Sequence, residues 1–170
     1  MLIKEKEINS IKENKVTLIS NFTILKNNYD FNFISKILEE NEIHTIPKPG
    51  FGNLKDIFQA LRVDLSIKEF LIYLDFLKKL FKYRPSEKDG VDLFFSLVSQ
   101  VGVSHIDPED VFILGLKGKT IYKVFGTETI DYIVNENDLI FIPKGIKHKV
   151  IGITPRIIAS IGLFGDRFNG

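Results

Sequence analysis

The chain contains no cysteine. That excludes disulfides, thiolate metal sites and cysteine nucleophiles together, and it is compatible with a reducing compartment. Tryptophan is also absent, so the 12% aromatic content rests on 15 Phe and 5 Tyr. No charge of one sign prevails: 23 Lys plus Arg against 22 Asp plus Glu leave a net charge of +1. Such a balance gives no global field for nucleic acid or an anionic membrane. No apolar run approaches the ~18 residues needed to span a bilayer. The opening Met1-Leu2-Ile3-Lys4-Glu5-Lys6-Glu7 places charges where a secretory signal requires an apolar stretch. There is no internal repeat and no low-complexity tract. What remains is a chain of 170 residues, 44% hydrophobic, long enough to bury a proper core. The expectation is a single cytoplasmic domain over 1–170, with 1–90 as an N-terminal α+β support region and 91–164 as a β-barrel.

The patterning changes along the chain. Residues 1–15 are rich in Lys, Glu and Asn and read as a frayed end or a short edge element. Lys15-Val16-Thr17-Leu18-Ile19 reads as a strand. Phe33, Ile34, Ile37 and Leu38 have helical spacing within 31–40. Residues 42–47 read as a short extended piece, ending in Pro47-Lys48-Pro49-Gly50-Phe51-Gly52, a loop that prolines and glycines keep irregular and that could reach over the barrel mouth. Leu54, Ile57, Phe58 and Leu61 predict a helix over 53–61. Ser66-Ile67-Lys68-Glu69 is a capping box, and the apolar stripe Phe70, Leu71, Leu74, Leu77, Leu80 and Phe81 predicts the clearest helix, packed outside a sheet. From 91 onward the periodicity becomes that of short strands: 91–98, 111–116, 120–125, 129–134, 139–142, 148–153 and 156–163. Many short strands separated by turn residues predict a sandwich or barrel.

Near the start of this β-rich part lies Ser104-His105-Ile106-Asp107-Pro108-Glu109-Asp110. On an extended chain His105 and Asp107 point to one side, with backbones roughly 6–7 Å apart, as two legs of a metal clamp. His148, within Ile142-Pro143-Lys144-Gly145-Ile146-Lys147-His148, offers a third leg. Two histidines and one carboxylate on one face of a metal, with the other positions open, suit non-haem Fe(II). The bland alternative makes both histidines ordinary residues and Asp107-Pro108 a turn. His44, in the N-terminal part, is read as a plain surface or core residue.

Residues 91–164 resemble the cupin-type barrel of the Jumonji C family of Fe(II)/2-oxoglutarate oxygenases, and within it the ribosomal-protein hydroxylases. The resemblance rests on Leu93-Phe94-Phe95-Ser96-Leu97, Gly102, His105-Ile106-Asp107 and Asp110-Val111-Phe112-Ile113. It extends through Asp138-Leu139-Ile140-Phe141-Ile142-Pro143-Lys144-Gly145-Ile146-Lys147-His148 to Ser160-Ile161-Gly162. It covers about half of the chain. The implied fold is α+β, mainly β: a double-stranded β-helix (jelly-roll barrel) with N-terminal helices packed outside. The implied activity is that of a dioxygenase hydroxylating a protein side chain, with His105, Asp107 and His148 as Fe(II) ligands and 2-oxoglutarate as co-substrate. The implied partners are a protein or peptide substrate and O₂, with a homodimer left open; neither membrane nor nucleic acid is expected.

The sequence departs from that pattern at one telling position. The family usually binds the far carboxylate of 2-oxoglutarate with a Lys or Arg where this chain has Thr120. A hydroxyl donates a hydrogen bond but carries no charge, and strand alternation sends Lys119 and Lys123 to the opposite face. Arg156 is the candidate replacement, since its fork matches a carboxylate; the competing reading is a solvated charge after Pro155. Tyr122 and Tyr132 could add a phenol to the same pocket, or be core or rim aromatics. Asn137 stands where glycine is usual, and Asn tolerates the left-handed conformation. Lys144, Lys147 and Lys149 read as a solvated turn or a locally basic mouth. Three readings therefore stand: a 2-oxoglutarate oxygenase, a cupin metalloenzyme that does not use 2-oxoglutarate, and a non-catalytic binding module.

Overall fold

The computed structural model describes residues 3–22, 29–40, 59–62, 68–96 and 99–167. In chain order its elements begin with α1 (Glu5–Lys12), β1 (Thr17–Ile19), α2 (Phe31–Glu40), β2 (Gln59–Arg62) and α3 (Lys68–Phe81). Then come β3 (Gly90–Ser96), β4 (Gln100–Val101), β5 (His105–Ile106), β6 (Asp110–Lys117) and β7 (Thr120–Phe125). The last four are β8 (Thr129–Val134), β9 (Leu139–Ile142), β10 (Lys147–Gly152) and β11 (Arg156–Leu163). All described strand pairings are antiparallel.

Two kinds of strand sequence make two kinds of sheet. Strands β6 and β9 are buried almost throughout, as expected where both faces of a sheet are covered. They belong to a six-stranded sheet in the order β1-β9-β6-β11-β3-β2. Its outer face carries Phe112, Leu114, Leu139, Phe141, Ile157, Ala159 and Ile161, which join one core with α1 and α3. Within that core Phe81 of α3 stacks on Phe112 at 5.6 Å. Strand β7 instead alternates buried and half-buried residues, the mark of a sheet with one covered face. It lies in the second sheet, β4-β10-β7-β8, with β5 also paired to β10. Val111, Ile113, Ile140, Ile142 and Ile158 of the first sheet meet Tyr122 and Val134 of the second in a separate inner core. Two facing antiparallel sheets around a shared interior are the expected double-stranded β-helix, mainly β with helices outside.

The helices differ from expectation at two places. Residues 5–12 form a helix, not a frayed end: Glu7 Oε2 accepts the Lys4 N–H at 2.8 Å at its start, and Ile11 is fully buried. Residues 59–61, read as the end of a helix, belong instead to β2, with Leu61 paired to Leu93. The readings of 42–47 and of the Pro47–Gly52 loop, most of the 53–61 helix, the Ser66 cap and His44 lie outside the described residues. Asn137 adopts φ 68°, the left-handed conformation for which Asn substitutes for glycine. No described helix is long and apolar enough to cross a membrane.

Candidate metal centre

Strand register brings His148 to the pair His105 and Asp107, which are close in sequence. His105 and His148 are direct partners across the β5–β10 pair, and their rings lie 4.3 Å apart between centroids. Asp107, just past β5, reaches both: Oδ1 is 3.6 Å from His105 Nε2 and Oδ2 is 3.5 Å from His148 Nε2. One ligand atom from each of the three residues lies within 4.8 Å of the others. His148 is buried, whereas the His105 and Asp107 side chains are 47% and 25% exposed, so solvent reaches the cluster at those two residues.

Backbone carbonyls set the imidazoles. His105 Nδ1 donates to the Val103 carbonyl at 3.0 Å, and His148 Nδ1 donates to the Ile146 carbonyl at 3.1 Å. A carbonyl oxygen only accepts, so each Nδ1 holds the proton of the neutral ring and each Nε2 presents its lone pair. Outer partners of this kind orient metal-binding histidines. Burial pushes the His148 pKa below its usual value and His105 adds to this, against the opposing pull of the Ile146 carbonyl and Asp107. A neutral imidazole is the form that ligates. The donor set, two free Nε2 atoms and one carboxylate, therefore fits a divalent transition metal with open positions.

Below the histidines the barrel interior is built in rows. Register partners place the buried Val124, and the exposed Ile130 at the rim, level with His148 and His105. The next inward row is Val150, Tyr122 and Tyr132, and the one beyond is Gly152, Thr120 and Val134. His148 and Gly152 are thus about 13 Å apart along the strand. Tyr122 is buried, its ring 6.5 Å from that of His148, and its hydroxyl makes no hydrogen bond to another described residue. Burial pushes the phenol well above its usual pKa, with Arg156 opposing and Asp107 reinforcing the shift. Tyr132 is half-buried at the edge of the same row.

Arg156 is 2% exposed, which removes the reading of a solvated strand end. Strand alternation puts it on the same side of β11 as Ile158 of the inner core. Its guanidinium lies over Gly152, where an added Cβ would fall 1.1 Å from Nη1. Gly152 is the register partner of Thr120, so a cation occupies the row of the threonine, delivered from another strand. Burial lowers the Arg156 pKa, with Tyr122 opposing. Lys119 is exposed, and Lys123 pairs with Asp131 at 2.6 Å on the outer face. Lys144 pairs with Asp166 at 3.2 Å, and Lys147 lies over the Phe125 ring at 5.8 Å; the lysines thus stay outside the barrel.

Sequence reasoning missed Gly152, Val124 and the carbonyls that fix the tautomers. Gly152 left a signal, because a glycine inside a strand marks a close approach by another group. The carbonyls left none.

Solved structures carry the same architecture. An X-ray structure of ycfD from E. coli superposes with a TM-score of 0.68 at 15% identity, covering 98% of this chain and 54% of that one. The structure of YcfD, a ribosomal oxygenase from Escherichia coli, in complex with cobalt and 2-oxoglutarate gives 0.60 at 18% identity, covering 90% of this chain and 49% of that one. The fold is a cupin-type double-stranded β-helix, shared with those structures. This chain spans about half the length of the ribosomal oxygenase chains it matches. No family model and no curated protein matches the sequence. At these identities the ribosomal-oxygenase likeness is one of fold, and the chemistry has to come from the chain's own side chains.

Proposed function

We propose that this chain is an Fe(II)- and 2-oxoglutarate-dependent oxygenase that hydroxylates a protein side chain. The observation that carries this reading is the pairing of a histidine–carboxylate cluster with a buried guanidinium in the same barrel. His105, Asp107 and His148 would hold the metal through Nε2, a carboxylate oxygen and Nε2. Arg156, with Thr120 beside it, would take the far carboxylate of the co-substrate in a charge-assisted fork. The Tyr122 hydroxyl, buried between the two, would donate to the bound dicarboxylate. When bound, metal and co-substrate supply the conversion of 2-oxoglutarate, O₂ and R–H to succinate, CO₂ and R–OH. The chain's part is to ligate, to orient and, through Val124 and the inner core, to exclude water. The ribosomal-oxygenase fold supports a protein as substrate.

Anaerobic addition of Fe(II) and then 2-oxoglutarate tests this directly. The expected result is a weak visible charge-transfer band that His105→Ala abolishes and Arg156→Ala moves to higher 2-oxoglutarate concentration. Metal binding without any band would sink the co-substrate reading. It would leave a metalloenzyme of the same fold that works without 2-oxoglutarate, the reading that Thr120 favours.

A further inference from the structure

One buried carboxylate ties the metal cluster to the rest of the protein without being a ligand. Asp110 is 6% exposed and divides its two oxygens between two tasks. Oδ1 accepts the Lys144 backbone N–H at 2.8 Å. Oδ2 accepts the Tyr83 hydroxyl at 2.5 Å and the Arg167 Nε and Nη2 at 3.1 and 2.8 Å. Its anchors are in turn fixed. Arg167 donates to the Ile11 carbonyl through Nη1 and to Asn14 Oδ1 through Nη2, and its guanidinium packs on the Tyr83 and Phe141 rings.

The Lys144 N–H belongs to the Pro143-Lys144-Gly145-Ile146 turn, and that turn touches the cluster twice. The Gly145 N–H donates to the Asp107 carbonyl at 3.0 Å, and the Ile146 carbonyl accepts from His148 Nδ1. Gly145 sits at φ 82°, a left-handed conformation that glycine adopts without strain. The turn thus contacts one ligand through its backbone and another through its ring, and Asp110 fastens the turn from outside.

We propose that Asp110 is a positioning residue of the metal centre: by holding the 143–146 turn against Tyr83 and Arg167, it aims His148 and Asp107 at a common point. The inference rests on the metal reading above. Asp110→Asn keeps the shape but sets an amide N–H₂ against the Lys144 N–H or against the Tyr83 and Arg167 donors. A matched control exists in Asp138, a carboxylate with 4% exposure that accepts from the Asn21 and Asn135 N–H groups and from Asn135 Nδ2. It sits before β9, at the opposite end of that strand from the 143–146 turn.

The test is Co(II) titration of the full chain, following affinity and the visible d–d spectrum. Asp110→Asn should weaken Co(II) binding roughly 10-fold or more and alter the d–d band, while Asp138→Asn stays within about threefold of the parent at a comparable loss of thermal stability. Equal Co(II) affinity in the two variants would overturn the positioning role. If Asp110→Asn does not fold, Tyr83→Phe carries the test: a weakened affinity supports the role, and parental affinity with the parental spectrum removes it. A parent chain that binds no Co(II) overturns the metal reading itself, an outcome distinct from either.

Discussion

The Arg156 guanidinium occupies the space where a side chain at Gly152 would begin, with Nη1 1.1 Å from an added Cβ. Glycine at that position is therefore a condition for the cation beside Thr120. Gly152→Ala would push the end of the arginine aside without touching the histidines. The half-saturating 2-oxoglutarate concentration for the charge-transfer band should rise roughly 10-fold, as for the loss of one charge-assisted hydrogen bond of about 1.5 kcal/mol. Co(II) affinity should stay at the parent value. An unchanged 2-oxoglutarate requirement would detach Arg156 from co-substrate binding.

His105 separates site from stability. Its side chain is 47% exposed and its β5 pairing is made by backbone, so His105→Ala should change unfolding free energy by no more than about 0.5 kcal/mol. Its metal affinity should fall by more than the roughly 10- to 100-fold typical of outer-sphere changes. Urea unfolding of the metal-free protein and a Co(II) titration measure the two quantities side by side.

Asp89 predicts an acid limit. Burial pushes its carboxyl up, but Lys78 Nζ at 2.7 Å and the N–H groups of Phe164 and Ser86 at 2.9 and 3.0 Å prevail, and its pKa lies below the usual value. A depressed folded pKa gives stability that is present above the unfolded value of about 3.9. That stability is lost as pH falls through the folded value. Between about pH 5 and pH 2, Asp89→Asn should show a flatter fall of the urea midpoint than the parent. Parallel curves would mean that other carboxylates set the acid limit.

Asn137 holds φ 68° in the turn between β8 and β9. Asn137→Gly should leave the thermal midpoint nearly unchanged. Asn137→Val, which forces a β-branched side chain into the left-handed region, should cost about 1–2 kcal/mol. Equal midpoints for Gly and Val would show that the backbone relaxes there.

Much of this protein was legible in its residues. The short strands from 91 onward were readable because burial imposes a period of two on β7 and continuous apolar runs on β6 and β9. The grouping of His105, Asp107 and His148 was readable as a candidate because each is a residue type that can ligate a metal. Helix α1 was hidden, since Ile8 and Ile11 sit in a charged segment and acquire meaning only against the core they join. Strand β2 was misread because a few apolar residues at short spacing suit either element until a partner, here β3, is present.

By itself, then, the sequence determined the strand periods, the three candidate ligands and an uncharged threonine at position 120. The tertiary structure alone decided that Arg156 turns inward over Gly152 and brings a cation to the row of Thr120. It decided too that the Val103 and Ile146 carbonyls fix the imidazoles. The physical reason is common to both. Side-chain chemistry and local periodicity are written residue by residue, whereas burial and backbone partners depend on which strands lie side by side, and every residue carries the same carbonyl.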